Sequence, residues 1–290
     1  MMNVRSIHLI FILFFGLSLQ SLAKGNDNHL SWAGCGITKK AFMKELAAAY
    51  TKKTGIQITL DGGGATRGIR DTVAGKLDIG GSCRMSLPGA EKSELYASLH
   101  PVAWDALAII AHPSNPVNNL SMQQIRDIYT GKITNWKQVG GRNAEIKLYV
   151  RKGKISGVGY AIRQYVFEDS NMEFSSSNVV KSSGPLEKAC QKDPNAMGIT
   201  GISSARKRKV KILKFDGKSP TFENVKNGSY GLYRPLYLVA SPRPSQQAKD
   251  FIAFASSEEG RKIIRANNTV PYLDAPKLMS KMLIYGFDVK

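Results

Sequence analysis

From residue 29 onward the apolar positions switch between two spacings, and each switch marks a change of element. Residues 30–33 read as a short strand that ends at Gly34. Ala41, Phe42, Leu46, Ala49 and Tyr50 then recur at helical spacing, which predicts a helix over 38–54 closed by Gly55. Residues 56–60 alternate apolar with polar and give a second strand, 65–74 a helix ending at Gly75, and 77–79 a third strand. Strand and helix in strict alternation imply a parallel sheet with right-handed crossovers.

The pattern starts again near residue 110. Residues 106–111 are a strongly apolar strand, broken by His112-Pro113 and Pro116. Ser121 and Gln124 form a capping box for a helix that runs to Tyr129 and stops at Gly131. Strands follow at 146–150, 196–202, 210–213 and 236–240, with helices at 158–167, 185–191, 247–255 and 257–266. Two starts in 290 residues predict an α/β chain folded as two lobes.

The first residues do not belong to that fold. Arg5 precedes an apolar run over 9–19, too short to span a bilayer, and Ser21-Leu22-Ala23 offers the small residues a signal peptidase needs. Residues 1–23 are therefore read as a signal peptide, with the mature chain starting near Lys24 and destined for the periplasm or beyond; the alternative is an uncleaved anchor.

Charge narrows the partners. The formal net charge is +19, and removal of the leader subtracts only Arg5. Such a surplus suits nucleic acid, an anionic membrane surface or a small anion, and export argues against the first. The densest basic run, at 206–211, reads as a solvated turn leading into a strand.

Three cysteines, Cys35, Cys83 and Cys190, remain after export, and an oxidising compartment favours one disulfide and one spare thiol. No zinc or haem-attachment spacing is present, no cofactor is indicated, and the glycine-rich segments lack the GK[ST] of a nucleotide P-loop. His100 and His112 align with no nucleophile motif, so the chain reads as no enzyme.

In an open parallel sheet, ligands meet the carboxyl ends of the strands. Three loops lie at that edge of the first lobe, at 34–38, 62–68 and 80–84, and all are rich in glycine. In the second lobe 151–157 and 182–184 fill matching places. Glycine lets backbone N–H groups approach a ligand, and each loop opens a helix whose N-terminus favours negative charge. Arg67, Arg84, Arg151, Lys152 and Lys154 add to the potential.

The same segments carry a resemblance over nearly the whole mature chain. GGGATRGI at Gly62, KLDIGGSCR at Lys76, IYTGKITNWKQVGG at Ile128, NAMGITGISSA at Asn195 and PTFENVKNGSYGLYRPLYLV at Pro220 resemble the phosphate-binding proteins of bacterial ABC importers, a branch of the type II periplasmic binding proteins. The resemblance implies a hinged two-lobe fold whose chain crosses out near Asp105 and returns near Arg234. Lobe 1 would comprise residues 24–105 and 235–290, and lobe 2 residues 106–234. It also implies capture of phosphate or a related small oxyanion for a membrane permease driven by an ATPase.

Loop reading and resemblance together place Cys35, Gly36, Ile37, Thr38, Ala65, Thr66, Arg67, Cys83, Arg84, Arg151, Lys152, Ser156, Gly157 and Val158 at the ligand. Several depart from the family pattern. Small hydroxyl residues are usual where Cys35 and Gly36 stand, serine where Ala65 stands, and threonine where Val158 stands. At Cys83 the family carries serine or a proton-accepting aspartate. Cys35 and Cys83 follow neighbouring strands in the order 2-1-3, so they form a disulfide, two inert small residues, or a pair open to a thiophilic metalloid, sulfur oxyanion, metal or cofactor. A sensory protein that presents its ligand to a receptor is the remaining alternative. Cys190, late in a helix, reads as a buried small residue.

Overall fold

The computed structural model describes residues 28–280. The leader reading falls on residues outside that range. Among the described residues twelve strands occur: β1 His29–Gly34, β2 Gln57–Asp61, β3 Ile79–Ser82, β4 Ser98–Ala111, β5 Asn119–Leu120, β6 Lys147–Arg151, β7 Asn178–Val180, β8 Ala196–Gly201, β9 Lys211–Ile212, β10 Lys214–Phe215, β11 Tyr233–Ala240 and β12 Val270–Pro271. The main sheet runs β2-β1-β3-β11-β4-β8-β6-β7, with β9 and β12 also paired to β4, while β5 and β10 form a small parallel pair. β1 lies parallel between β2 and β3, and β6 parallel between β7 and β8.

β4 joins the two halves. Its residues up to Ala106 pair with β11, and from Leu107 it pairs with β8. The apolar run predicted only 106–111, because His100-Pro101 and Trp104-Asp105 interrupt it. The strand tolerates Pro101 because the register with β11 shifts there, between Leu236 and Tyr237, so the missing N–H falls at an irregularity in the ladder. From Val102 to Ala111 every residue is buried, as expected for a strand covered on both faces.

Asp105 of β4 faces Arg234 of β11 in register at this crossing. Both side chains are buried, Asp105 Oδ2 lies 3.8 Å from Arg234 Nη2, and Asp105 Oδ1 also accepts from the Ser203 N–H at 3.1 Å and from its hydroxyl. Burial pushes the Asp105 carboxyl upward, against the pull of Arg234 and the bonds from Ser203. A buried charge survives only with such partners.

The predicted helix over 38–54 is longer at its start. It begins as Gly36–Thr38, passes through a π turn at Lys39–Met43 and continues as Lys44–Thr54, with Gly55 in the left-handed conformation at its end. Phe42, Leu46 and Tyr50 turn inward, and Tyr50 meets Phe251 and Phe254 with ring centroids 5.1 and 5.2 Å apart. Among the described residues no helix is long and apolar enough to cross a membrane.

Candidate functional site: an anion-suited cleft between the lobes

A cavity of about 480 Å³ opens where the loops after β1, β2, β3 and β6 face the loop after β7. Four helices start on it: Gly36–Thr38 with its continuation, Gly64–Val73, Gly157–Ile162 and Ser183–Lys192. The residues before them, Cys35, Gly63, Ser156 and Ser182, make no side-chain capping bond. The first N–H groups of a helix have no partner within it, so these donors are left for whatever enters the cavity.

The glycines of the predicted loops divide into two kinds. Gly36, Gly62, Gly63 and Gly64 line the cavity, and φ values of 119° at Gly63 and 85° at Gly64 give a turn that other residues enter only with strain. Gly34, Gly68 and Gly80 instead let backbone meet backbone, and Gly81 makes room for a ring. A Cβ on Gly68 would stand 2.4 Å from the Gly81 oxygen, and one on Gly81 would strike the Trp32 ring. Those four fix how the first helix pair sits on the sheet and make no cavity wall.

Three cations line the cavity: Lys40, Arg151 and Lys181. Arg151 ends β6, and its guanidinium donates to Ser183 Oγ and to the Lys181 carbonyl, both at 2.9 Å. Burial, helped by the nearby charge of Arg234, lowers its pKa to about 10 against the pull of Glu187, so it stays a cation at neutral pH. Lys40 reaches across from the first lobe and donates to Ser204 Oγ at 2.6 Å and to Glu187 Oε2 at 3.4 Å. Glu187 is buried and also accepts from Thr200 and Arg208. No Asp or Glu is among the residues lining this cavity.

Cys35 and Cys83 are joined as a disulfide at the cavity wall, with Cα atoms 6.2 Å apart. Thiolates suit soft ligands, and the oxidised pair presents none, so the thiophilic reading applies only to the reduced protein. Cys190 is free and buried, and burial raises its thiol to about 12, with Glu187 and Asp193 adding to the rise, which leaves it inert.

Gly36, Ile37, Ala65, Thr66, Ser156, Gly157 and Val158 line the cavity together with the two cysteines and Arg151, as the loops suggested. The other four expected residues do not line this cavity. Thr38 is buried behind the wall and donates to the Ser82 carbonyl. Arg67 folds back onto Asp61 at the end of β2 and onto Asp71 one turn along its own helix. Arg84 is drawn under the loop by the buried Glu94, which takes its Nη1 and Nη2 at 2.7 and 2.9 Å. Burial alone would raise the Glu94 carboxyl, but the bonds from Arg84, Leu87 N–H and Arg70 hold it below its usual value. Lys152 is exposed and lies off the cavity wall. Lys154, expected to add to the potential, pairs with Glu173.

Lys40, Lys181 and Ser204 were missed. Lys40 and Ser204 are 164 residues apart and carry no motif, and only the tertiary fold brings them together. Arginines tie the loops on the two sides of the cleft. Arg234 Nη1 donates to the Cys83 carbonyl at 2.9 Å and the Gly157 carbonyl at 3.0 Å, and Arg84 Nε to the Ile155 carbonyl at 2.9 Å.

Comparison with known proteins agrees with this geometry. The family described as the PBP superfamily domain matches residues 33–259. The chain is 27% identical over 268 residues to the phosphate-binding protein PstS of Borreliella burgdorferi, covering 88% of this chain and 95% of that one. It superposes with a TM-score of 0.76 on a substrate-binding protein from Clostridium perfringens solved with bound phosphate, at 32% identity over 84% of this chain and 99% of the other. An ABC-type phosphate transport receptor from Vibrio cholerae gives 0.65 at 28% identity, with the same coverage of 84% and 99%. The matched segment takes in every loop on the cavity and both strands of the crossing, and the chain belongs to the PBP superfamily, with the two-lobed type II fold.

Proposed function

We propose that this chain is an extracytoplasmic solute-binding protein of an ABC importer, which closes its lobes on phosphate or a related small oxyanion and hands it to a permease. It performs no chemistry on its cargo. The observation that carries this reading is the convergence of four uncapped helix starts and three cations on one cavity without a carboxylate. The relatives named for phosphate support the ligand class, and the two solved structures named for ABC transport support the importer as partner.

The energetics are adequate. Hydrogen bonds to a charged group contribute roughly 1.5–3 kcal/mol each. Micromolar binding needs about 8 kcal/mol, which a handful of such donors reaches even after the cost of ordering the ligand. Closure is a hinge motion at β4 and β11, favoured because Arg151 and Lys181 of one lobe and the loops of the other meet the anion together only when shut.

The test is calorimetry on the chain from Lys24 onward with phosphate, sulfate and arsenate. Binding of at least one of them at micromolar or better affinity, weakened by about ten- to a hundredfold in Arg151→Ala, is the expected result. Absence of heat with all three would end the proposal.

A further inference from the structure

The cleft offers donors almost everywhere and acceptors almost nowhere. Its hydroxyls show this first. Ser204 Oγ accepts from Lys40 and Ser183 Oγ from Arg151, and Thr66 Oγ1 accepts from Arg84 Nη2 at 3.2 Å. A hydroxyl that accepts from a cation keeps its own O–H free to donate elsewhere. The carbonyls at the wall are used in the same way. Those of Cys83 and Gly157 take Arg234 Nη1, that of Lys181 takes Arg151 Nη2, and that of Gly62 takes Arg67 Nη1. Nearby carboxylates are spent as well: Glu187 on Lys40, Thr200 and Arg208, and Asp61 on Arg67 at the exposed rim. Among the lining hydroxyls, Ser156 Oγ is buried with no partner, and no lining side chain is a carboxylate.

We infer that this cleft selects oxyanions by their lack of protons, taking sulfate alongside phosphate and taking phosphate in its less protonated form. The inference rests on the oxyanion reading above and names the subclass. A proton on a ligand oxygen needs an acceptor, and a buried O–H without one forfeits the hydrogen bond it made to water. Here such a proton finds no carboxylate at the wall and at best a neutral serine hydroxyl, among N–H groups and cations. A fully deprotonated tetrahedral oxyanion meets only complementary groups. A carboxylate in the cavity would reverse the preference, by accepting from a protonated ligand and repelling a bare one.

The pH dependence follows from the ligand. No histidine, aspartate or glutamate lines the cavity; the lining side chains with ionisable groups outside the disulfide are Lys40, Arg151 and Lys181, and Arg151 stays a cation at neutral pH. Sulfate keeps its charge over that range, whereas phosphate gains its second negative charge near neutrality. When one form of a ligand is competent, apparent affinity scales with the fraction present in that form.

The experiment is calorimetry of the mature chain with sulfate and with phosphate at about pH 6 and about pH 8. Sulfate is expected to bind within about tenfold of phosphate at pH 8 and to change little with pH, while phosphate tightens by about tenfold from pH 6 to pH 8. Gly36→Asp supplies the missing acceptor, at a lining position where an added Cβ meets nothing within 4 Å. It should weaken sulfate by at least about tenfold more than phosphate at pH 6. Tight phosphate binding that ignores pH and excludes sulfate would overturn the inference and leave the oxyanion proposal standing. Failure of both anions to bind would overturn the two together.

Discussion

Helices that begin at the cleft and helices that begin elsewhere are finished differently. Met122–Tyr129, Phe222–Lys226, Gln246–Ser256 and Glu258–Ala266 are each capped by their own serine or threonine, and Ile202–Ala205 is closed by the Asp105 carboxylate through the Ser203 N–H. The four that open on the cavity have no such cap. An N-cap contributes about 1 kcal/mol, so the bare starts are a cost that the empty protein carries. They are held in place by other means: the Cys35–Cys83 disulfide, the Arg234 tie to Gly157, and the Arg151 bond to Ser183. The difference teaches that the cleft keeps its donors unsatisfied by design of position, with cross-links doing what caps do elsewhere.

The comparison can be broken at its strongest tie first. Replacing Cys35 and Cys83 together by serine opens a crosslink between residues 48 apart, and the chain-entropy account puts the loss near about 4 kcal/mol. Urea unfolding should show a midpoint shift of that order, and an unchanged midpoint would mean that the bare starts do not depend on the bridge.

Filling the cleft should close much of the gap between the two kinds of helix start. Oxyanion at about a hundred times its dissociation constant is expected to stabilise the fold by about 2.7 kcal/mol, seen as a rise in melting temperature. Arg151→Ala then tests whether the cation or the helix starts dominate. Loss of a charged hydrogen bond predicts binding weaker by about ten- to a hundredfold, measured by calorimetry. An effect below twofold would assign the affinity to the backbone alone.

The smallest effects bear on the caps themselves. Ser245→Ala removes the oxygen that accepts from the Ala248 N–H and should cost about 1 kcal/mol of stability. Ser182→Ala, at a start where the side chain caps nothing, should change stability by less than about 0.5 kcal/mol. Equal losses at the two serines, read from parallel urea curves, would erase the distinction.

Much of this site was legible before any coordinates. The glycine-rich loops, the order β2-β1-β3 and the adjacency of Cys35 and Cys83 follow from local periodicity and the topology of parallel sheets. What misled was the assumption that a cation in a glycine loop faces the ligand. Arg67 has Asp61 six residues before it and Asp71 one turn after it, and Arg84 has Glu94 below it, so each finds a nearer carboxylate. The glycines misled similarly, since Gly68 and Gly81 read like anion-loop residues yet serve to bring a helix against a strand.

The sequence by itself determined the elements, their order and the side of the sheet on which the loops gather, because these depend on spacing within a few residues and on the handedness of the chain. The tertiary structure alone decided which donors remain free. Lys40 meets Ser204, Arg234 takes the carbonyls of Cys83 and Gly157, and Glu187 is consumed, all through contacts between segments far apart in the chain. Whether a polar group is available depends on every partner within hydrogen-bonding reach, and that neighbourhood exists only after the lobes have packed.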